Sequence, residues 1–396
     1  MKDLQHLIFF ENLLTEVNND LVREGRDRGD VCVGTTCFQL PEVVYSLPGV
    51  FPVYLRAPRT GSIDMGTYYM TSMTCEFARA LLERGLEGGY QFLDCLIAPA
   101  ACSQMADCIE NMERLNVNKK DDFFIQLVDA PMKNDDNAIR HMTNMCRRRI
   151  LEPLHEKYGI DISDKALKKA VKIHNDVCKA INKIGEYRKE DNPRITGYEF
   201  AVICTATFAA PKDLILPYLK ETVKELKTRE PDEDYAKKYR ARVLLCGSEI
   251  DDPAYIKDIE DAGANVVFDR YCFGSYPARI PIELNDEEDI LFQICRQSVT
   301  TNQCPRYMDG ATIDNRKKVI DTLAKEYKAD GIIVEQMKFC NFWGYERAAM
   351  TNFLRDDYGW PVLSLDKPYV AGGQGQLRTR VQAFVESIEI KKINNK

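Results

Sequence analysis

Apolar positions along this chain alternate between two rhythms. Short, nearly continuous apolar runs occur at VCVGTTC (31–37), FPVYLRA (51–57), FLDCLIAPAAC (92–102) and FFIQLVDAP (123–131). Runs of this length without polar alternation are the pattern of strands buried on both faces. Between them, helical spacing covers roughly 4–23, 68–87 (ending at Gly88-Gly89) and 104–115. Strands that alternate with helices imply a mainly parallel sheet with helices on both sides.

From Asn137 to about Arg229 the rhythm becomes one of long, charged amphipathic segments, such as DISDKALKKA, which opens on a plausible N-cap. TREPDEDYAKKYRAR (228–242) reads as a solvated connector. The strand–helix alternation then resumes. RVLLCGSEI (242–250), ANVVFDRY (264–271), GIIVEQMKFC (331–340) and WPVLSLDKPY (360–369) are strands, with helices over 251–263, about 313–329 and the closing LRTRVQAFVESIEI. The predicted fold class is α/β: two Rossmann-like lobes with mainly parallel sheets, and a helical middle region. Residues 1–136 form the N-terminal lobe, 137–238 the helical middle and 239–396 the C-terminal lobe.

A length of 396 residues suits two or three domains, and the 45% hydrophobic content supplies their cores. The net charge of −7 argues against a nucleic-acid partner, which needs clustered Lys and Arg. No apolar stretch is long enough to span a membrane, and MKDLQHLIFFENLLTEVNND lacks the core and cleavage site of a signal peptide, so a cytoplasmic protein is expected. Fourteen cysteines are many for a reducing compartment, where they serve as buried small hydrophobes, metal ligands or catalytic groups. Only four histidines are present (His6, His141, His155, His174), too few for a His-rich metal site.

The chemical lead is where the cysteines fall. Ligands of open α/β sheets bind beyond the carboxyl ends of strands. LIAPAAC puts Cys102 there in the first lobe, and IIVEQMKFC puts Cys340 there in the second. Cys75, in TSMTCEFARALLERG, sits at or near a helix start, where the dipole favours thiolate. Three thiolates can hold three irons of a four-iron cluster and leave one open. The spacing alone is equally compatible with buried thiols, since it contains no C-x2-C pair.

The segment CEFARALLERGLEGGYQFLDCLIAPAACSQM (75–105) resembles the part of 2-hydroxyacyl-CoA dehydratase subunits that carries their first two cluster cysteines, and VEQMKFCNFWGYE (334–346) resembles the part with the third. GQGQLRTRVQAFVES (373–387) and LPEVVYSLPGVFPVYL (40–55) are similar to closing and early segments of the same 2-hydroxyacyl-CoA dehydratase and benzoyl-CoA reductase family. The resemblance runs from about residue 30 to the end. It implies a 4Fe–4S cluster on Cys75, Cys102 and Cys340 in the cleft between the lobes. It also implies a paralogous second subunit, in a heterodimer or heterotetramer, and a separate ATP-hydrolysing iron–sulfur activator that delivers one low-potential electron. The substrate implied is an acyl-CoA. A ketyl radical forms on its thioester, and either the 2-hydroxyl leaves (a lyase) or, in the benzoyl-CoA branch, a ring is reduced (an oxidoreductase). An electron-relay subunit of such a complex is a further alternative. The chain's own lack of a G-x-x-x-x-G-K-[ST] loop fits an external ATPase; GGQGQ (372–376) reads as a helix-entry loop.

A related branch holds a larger double-cubane cluster on six cysteines. Cys37 and Cys304 fall where two of its extra ligands are expected, and the interval between the first two cluster cysteines offers only Cys95, inside a strand. Burial is the rival reading for all three. Glu42 and Glu335 are candidates for proton transfer, and Arg378 and Arg380 for a CoA phosphate or a carboxylate. Trp343 and Tyr345 can shield a cluster from water. Each of these residues also has an ordinary structural reading.

Overall fold

The computed structural model describes residues 2–100, 102–231, 233–275, 279–370 and 374–394. Its described strands form two separate four-stranded sheets, and every pairing in them is parallel. The first holds β1 (Val31–Thr35), β2 (Val50–Tyr54), β3 (Cys95–Pro99) and β4 (Phe124–Val128) in the order β2-β1-β3-β4. The second holds β5 (Ala241–Cys246), β6 (Ala264–Arg270), β7 (Gly331–Met337) and β8 (Val362–Lys367) in the order β6-β5-β7-β8. The α/β class with two Rossmann-like lobes is therefore observed.

The apolar runs form strands because alternate side chains enter different cores. In β5, Val243 and Leu245 join one apolar cluster while Leu244 and Cys246 join another. In β3, Leu96 and Ala98 face one way, Cys95 and Ile97 the other. The largest cluster takes residues from both sheets and reaches from Leu4 to Ile388.

Two single helices expected from the pattern are each split. The first becomes Leu7–Thr15 and Asp20–Asp27. Between them Asn19 accepts from Val22 N (3.1 Å) and donates to Leu13 O (3.0 Å) and Ala209 O (2.7 Å), closing one helix while capping the next. The second becomes Asp64–Met70 and Glu76–Leu86, separated at Thr71 with φ +68°. The two halves cross at Gly66, where a Cβ would stand 2.2 Å from Arg79 O.

Helices also fill the middle of the chain. Asp136–Cys146 passes through a π-helical turn, Arg147–Leu151, into Glu152–Tyr158. Asp164–Glu186, Gly197–Ala206 and Lys212–Thr228 follow. The connector is not simply solvated. It contains the helix Glu233–Lys238, and Arg229 is buried against Glu199 (3.1 and 2.6 Å). A helix absent from the sequence reading, Ile290–Thr300, buries Ile294 and Cys295 in the same cluster as Met142 and Cys146 of the middle helices. Among the described residues, no helix is long and apolar enough to cross a membrane.

Candidate functional site

Both sheets present their carboxyl ends to the junction of the lobes. The peptide N–H of Glu76, in the first lobe, donates to Lys338 O in the second (3.1 Å). The Glu76 carboxylate accepts from Tyr369 N (2.7 Å), and Tyr369 Oη donates to Asp251 (2.7 Å). Arg79 pairs with Glu76 (3.5 Å) and lies over the Phe339 ring. These contacts bring Cys75 to the loop that carries Cys340.

Each of the three expected ligand cysteines occupies an N-cap position. Cys75 precedes Glu76–Leu86, Cys102 precedes Ser103–Arg114, and Cys340 precedes Asn341–Asp356. Helix N-termini stabilise negative charge, a contribution toward thiolate that burial opposes at all three positions. The Cys102 sulfur accepts from Met105 N at 3.4 Å. Cys75 and Cys340 hydrogen-bond to each other through their side chains. In that pair Cys75 takes the charge. Its thiol is lowered by the hydrogen bond with Cys340 and by the N–H groups of Ala78 and Phe77, against burial, while Cys340 is raised by the same bond and by burial. Burial pushes the Cys102 thiol up to about 11, with a further contribution from the charge of Cys75. Cys102 in turn acts on Cys340, so the three sulfurs lie within electrostatic reach of one another.

Around this trio stands a second set of groups. Burial raises the thiols of Cys37, Cys272 and Cys304; the charge of Cys304 adds to the rise at Cys37, and the charges of Cys37 and Cys304 add to it at Cys272. Arg306, itself buried, opposes the rise at Cys37, Cys102 and Cys304. It donates to Ala130 O (3.0 Å), and its Nε has no hydrogen-bond partner. Glu249 follows β5, and burial, then the charge of Cys75, push its carboxyl up to about 8. Its Oε2 is buried without a partner. Strained backbone collects here too: Cys37 (φ +58°) and Phe339 (φ +65°) adopt the left-handed region that non-glycine residues avoid.

Cys272 and Glu249 were not singled out in the sequence. The signal for Glu249 was available, because GSE follows a buried strand just as the cysteine segments do. Cys272 reaches the site only through the pairing of β6 with β5, where its N–H donates to Ser248 O (3.0 Å). Cys95 does not join the others. It opens β3, at the opposite end of the strand from Cys102, and packs into the second core with its thiol pushed by burial up to about 12.

Glu42 lies elsewhere, half-buried in an ion pair with Lys212 and 3.8 Å from His174. Glu335 is fully buried on β7, accepting from Ser248 N (2.9 Å), and burial raises it to about 7. A Cβ on neighbouring Gly247 would stand 2.5 Å from that carboxylate, which explains the glycine. Arg378 is exposed, and Arg380 donates to Ser364 O (2.5 Å). Trp343 is buried with Arg270 over its ring, whereas Tyr345 is 47% exposed. Within GGQGQ, Gly372 and Gly373 lie outside the described residues, and the closing helix is described from Gln374.

Among the described residues, no three His, Cys, Asp or Glu side chains are close enough to chelate a single metal ion. A four-iron cluster makes a different demand, because it spreads its thiolates around a body wider than one ion. Three sulfurs at three helix N-termini, with an orphaned carboxyl oxygen beside them, suit such a group.

The chain resembles named subunits of acyl-CoA enzymes along most of its length. The chain is 23% identical over 379 residues to the (R)-phenyllactyl-CoA dehydratase beta subunit of Clostridium sporogenes, covering 96% of this chain and 97% of that one. It is 23% identical over 365 residues to the beta subunit of (R)-2-hydroxyglutaryl-CoA dehydratase from Acidaminococcus fermentans, covering 91% and 93%. It is 20% identical over 360 residues to a benzoyl-CoA reductase subunit of Thauera aromatica, covering 89% of each. Residues 37–388 match the family model of the 2-hydroxyglutaryl-CoA dehydratase D-component, and the chain is a member of that family.

Proposed function

We propose that this chain is the 4Fe–4S subunit of a radical 2-hydroxyacyl-CoA dehydratase, acting with a paralogous second subunit and a separate ATP-hydrolysing activator. The observation that carries the reading is the meeting of Cys75, Cys102 and Cys340, each at a helix N-terminus, from both lobes. The relatives, each named as one subunit of a dehydratase or reductase, support a partnered assembly. When bound, the cluster supplies low-potential one-electron chemistry.

The chain's own residues have definite tasks under this reading. The three helix N-termini favour ligating thiolates. Arg306 balances the negative charge that thiolates bring to a buried site. Trp343 and Phe339 exclude water from the Cys340 side. Glu249, neutral near pH 7 and with one oxygen unpartnered, can hold or give a proton at Oε2. Glu335 is engaged by Ser248 from two donors, so a proton there is less free to move. Arg380 can meet a carboxylate or CoA phosphate, while Arg378 offers an exposed charge.

A second reading has its own support. Cys304 acts on the Cys37 thiol, and both act on Cys272, beside the trio, which supports a larger, double-cubane type of cluster. The benzoyl-CoA reductase relative leaves a ring-reducing or electron-relay subunit as further forms of the same proposal.

Anaerobic purification with iron counting tests these forms. The dehydratase reading expects about four irons, lost in Cys75→Ser, Cys102→Ser and Cys340→Ser alike. Full iron retention in all three variants overturns it. About eight irons, lost also in Cys37→Ser and Cys304→Ser, favour the larger cluster. Turnover of a panel of CoA thioesters by the assembled complex then separates dehydration from ring reduction.

A further inference from the structure

A cavity of about 480 Å³, with Tyr369 in its wall and none of the three cysteines, is lined by residues of both lobes. That volume lies in the range of small-molecule sites. Its floor holds an unusual cation. Arg56 is 1% exposed, yet among the described residues its one side-chain hydrogen bond runs from Nη1 to Leu14 O (3.1 Å). Its Nε and Nη2 have no partner, and no carboxylate among the described residues forms an ion pair with it.

Burying a guanidinium with donors unused is costly, and native structures rarely leave it so. The unused atoms are informative, because Nε–H and Nη2–H form one edge of the planar fork. That edge meets the two oxygens of an oxyanion in parallel. Lys367, also buried, stands on the same cavity wall. Its ammonium lies over the Tyr255 and Tyr369 rings (5.3 and 5.6 Å) and makes no hydrogen bond or ion pair with the described residues.

The rest of the lining sets the size of the charge. Four cations (Arg56, Arg59, Lys367, Arg380) face five acids (Glu11, Asp251, Asp252, Asp258, Asp366). Such a lining, in which buried Asp251 already acts on both Arg56 and Lys367, repels a polyanion, and a single carboxylate would be held by hydrogen bonds to the free guanidinium edge and the ammonium rather than by net charge. Leu14, Leu377 and the tyrosine rings supply apolar wall for the body of the ligand.

We propose that this cavity binds a monocarboxylate with an apolar body, its carboxylate held by the free edge of Arg56 and by Lys367. This inference is independent of the cysteine site, and the cavity should bind its ligand whether or not iron is present.

Calorimetric titration of the full chain with four probes tests it: 3-phenylpropionate, 3-phenylpropionamide, acetate and inorganic phosphate. The carboxylate should bind at least about tenfold more tightly than its amide. Acetate should bind more weakly than 3-phenylpropionate, for want of an apolar body. Arg56→Gln and Lys367→Met should each weaken 3-phenylpropionate by about tenfold or more. If Arg56→Gln does not fold, Leu377→Trp serves instead, since it fills the cavity from its rim without touching either cation and should abolish binding. Equal affinity for acid and amide, or unchanged binding in Lys367→Met and Leu377→Trp, overturns the proposal. Phosphate outcompeting the carboxylate also overturns it and assigns the cavity to a phosphoryl group.

Discussion

The two lobes are built on one plan and finished differently. Their sheets have the same strand order, and in each the third strand, β3 or β7, delivers a cysteine to the cap of the helix that follows. The contrast lies in the helix that precedes that strand. In the second lobe this is Gly310–Glu326, capped by Asp309, whose carboxylate accepts from Thr312 N (3.0 Å) and Thr312 Oγ1 (2.8 Å). In the first it is Glu76–Leu86, and its cap is Cys75, whose sulfur faces the N–H groups of Phe77 and Ala78 but lies outside the geometry of a full capping hydrogen bond. An N-cap oxygen contributes about 0.5–2 kcal/mol. The first lobe forgoes that stabilisation at the position where a sulfur meets Cys340.

A second difference concerns how the paired helices are joined. In the second lobe, Arg316 and Glu346 form a bidentate pair (2.9 and 3.0 Å) in which both side chains are buried. In the first lobe, the helices before and after β3 meet through Leu82, Met105, Ile109 and Met112 in the apolar core. The second lobe thus spends charge on rigidity, and the first relies on packing.

The contrast predicts where each lobe is vulnerable. Arg316→Leu strips buried Glu346 of its bidentate partner and leaves it only the longer pair with Arg270 (3.9 Å), so it should destabilise the chain by up to about 3–5 kcal/mol in denaturant titration. Adding Glu346→Leu should recover much of the loss. A loss under about 1 kcal/mol for Arg316→Leu would remove the ion pair from the comparison.

Glu335 sharpens the contrast at the strand ends, because the first lobe has Thr35-Thr36-Cys37 in the loop equivalent to the Ser248 loop that this carboxyl holds. Burial raises Glu335 to about 7. A carboxyl raised on folding stabilises the native state below its ordinary range and loses that contribution as pH rises through the folded value. Relative to the parent, Glu335→Gln should therefore gain stability between about pH 5 and pH 8, on the order of 3 kcal/mol. Parallel pH profiles for the two proteins would show that the carboxyl is ionised throughout.

The smallest effect tests the cap itself. Asp309→Ala should lower stability by about 1 kcal/mol, and Asp309→Cys by a similar amount, since sulfur is a weak acceptor. If Asp309→Cys matched the parent in thermal unfolding, Cys75 would be an adequate cap and its placement would not mark a sacrifice.

Much of this was legible in the residues. Continuous apolar runs marked the strands because parallel sheets bury both faces, and cysteines after such runs marked the candidate site proposed above. The helix breaks were hidden because Asn19 and Thr71 end helices without Gly or Pro. ILFQICRQSVT escaped notice because its apolar residues belong to the core of the middle region rather than to its neighbours in sequence. Arg56 was invisible for a different reason. A lone arginine after a strand reads as surface, and only the approach of Leu14, Asp251 and Tyr369 encloses it.

The single core that reaches from Leu4 to Ile388 also bears on how the chain is made. Helices Leu7–Thr15, Gly197–Ala206, Ala254–Asp261 and Gln374–Asn394 pack in succession across both lobes. A ribosome exposes the first of these long before the last, and the apolar face of Leu7–Thr15 must wait for its partner at 197–206. Domains usually complete themselves as they emerge. Here the opening helix waits for about half the chain, and the row closes only when 374–394 emerges, so partly made chains should expose apolar surface until synthesis is nearly complete.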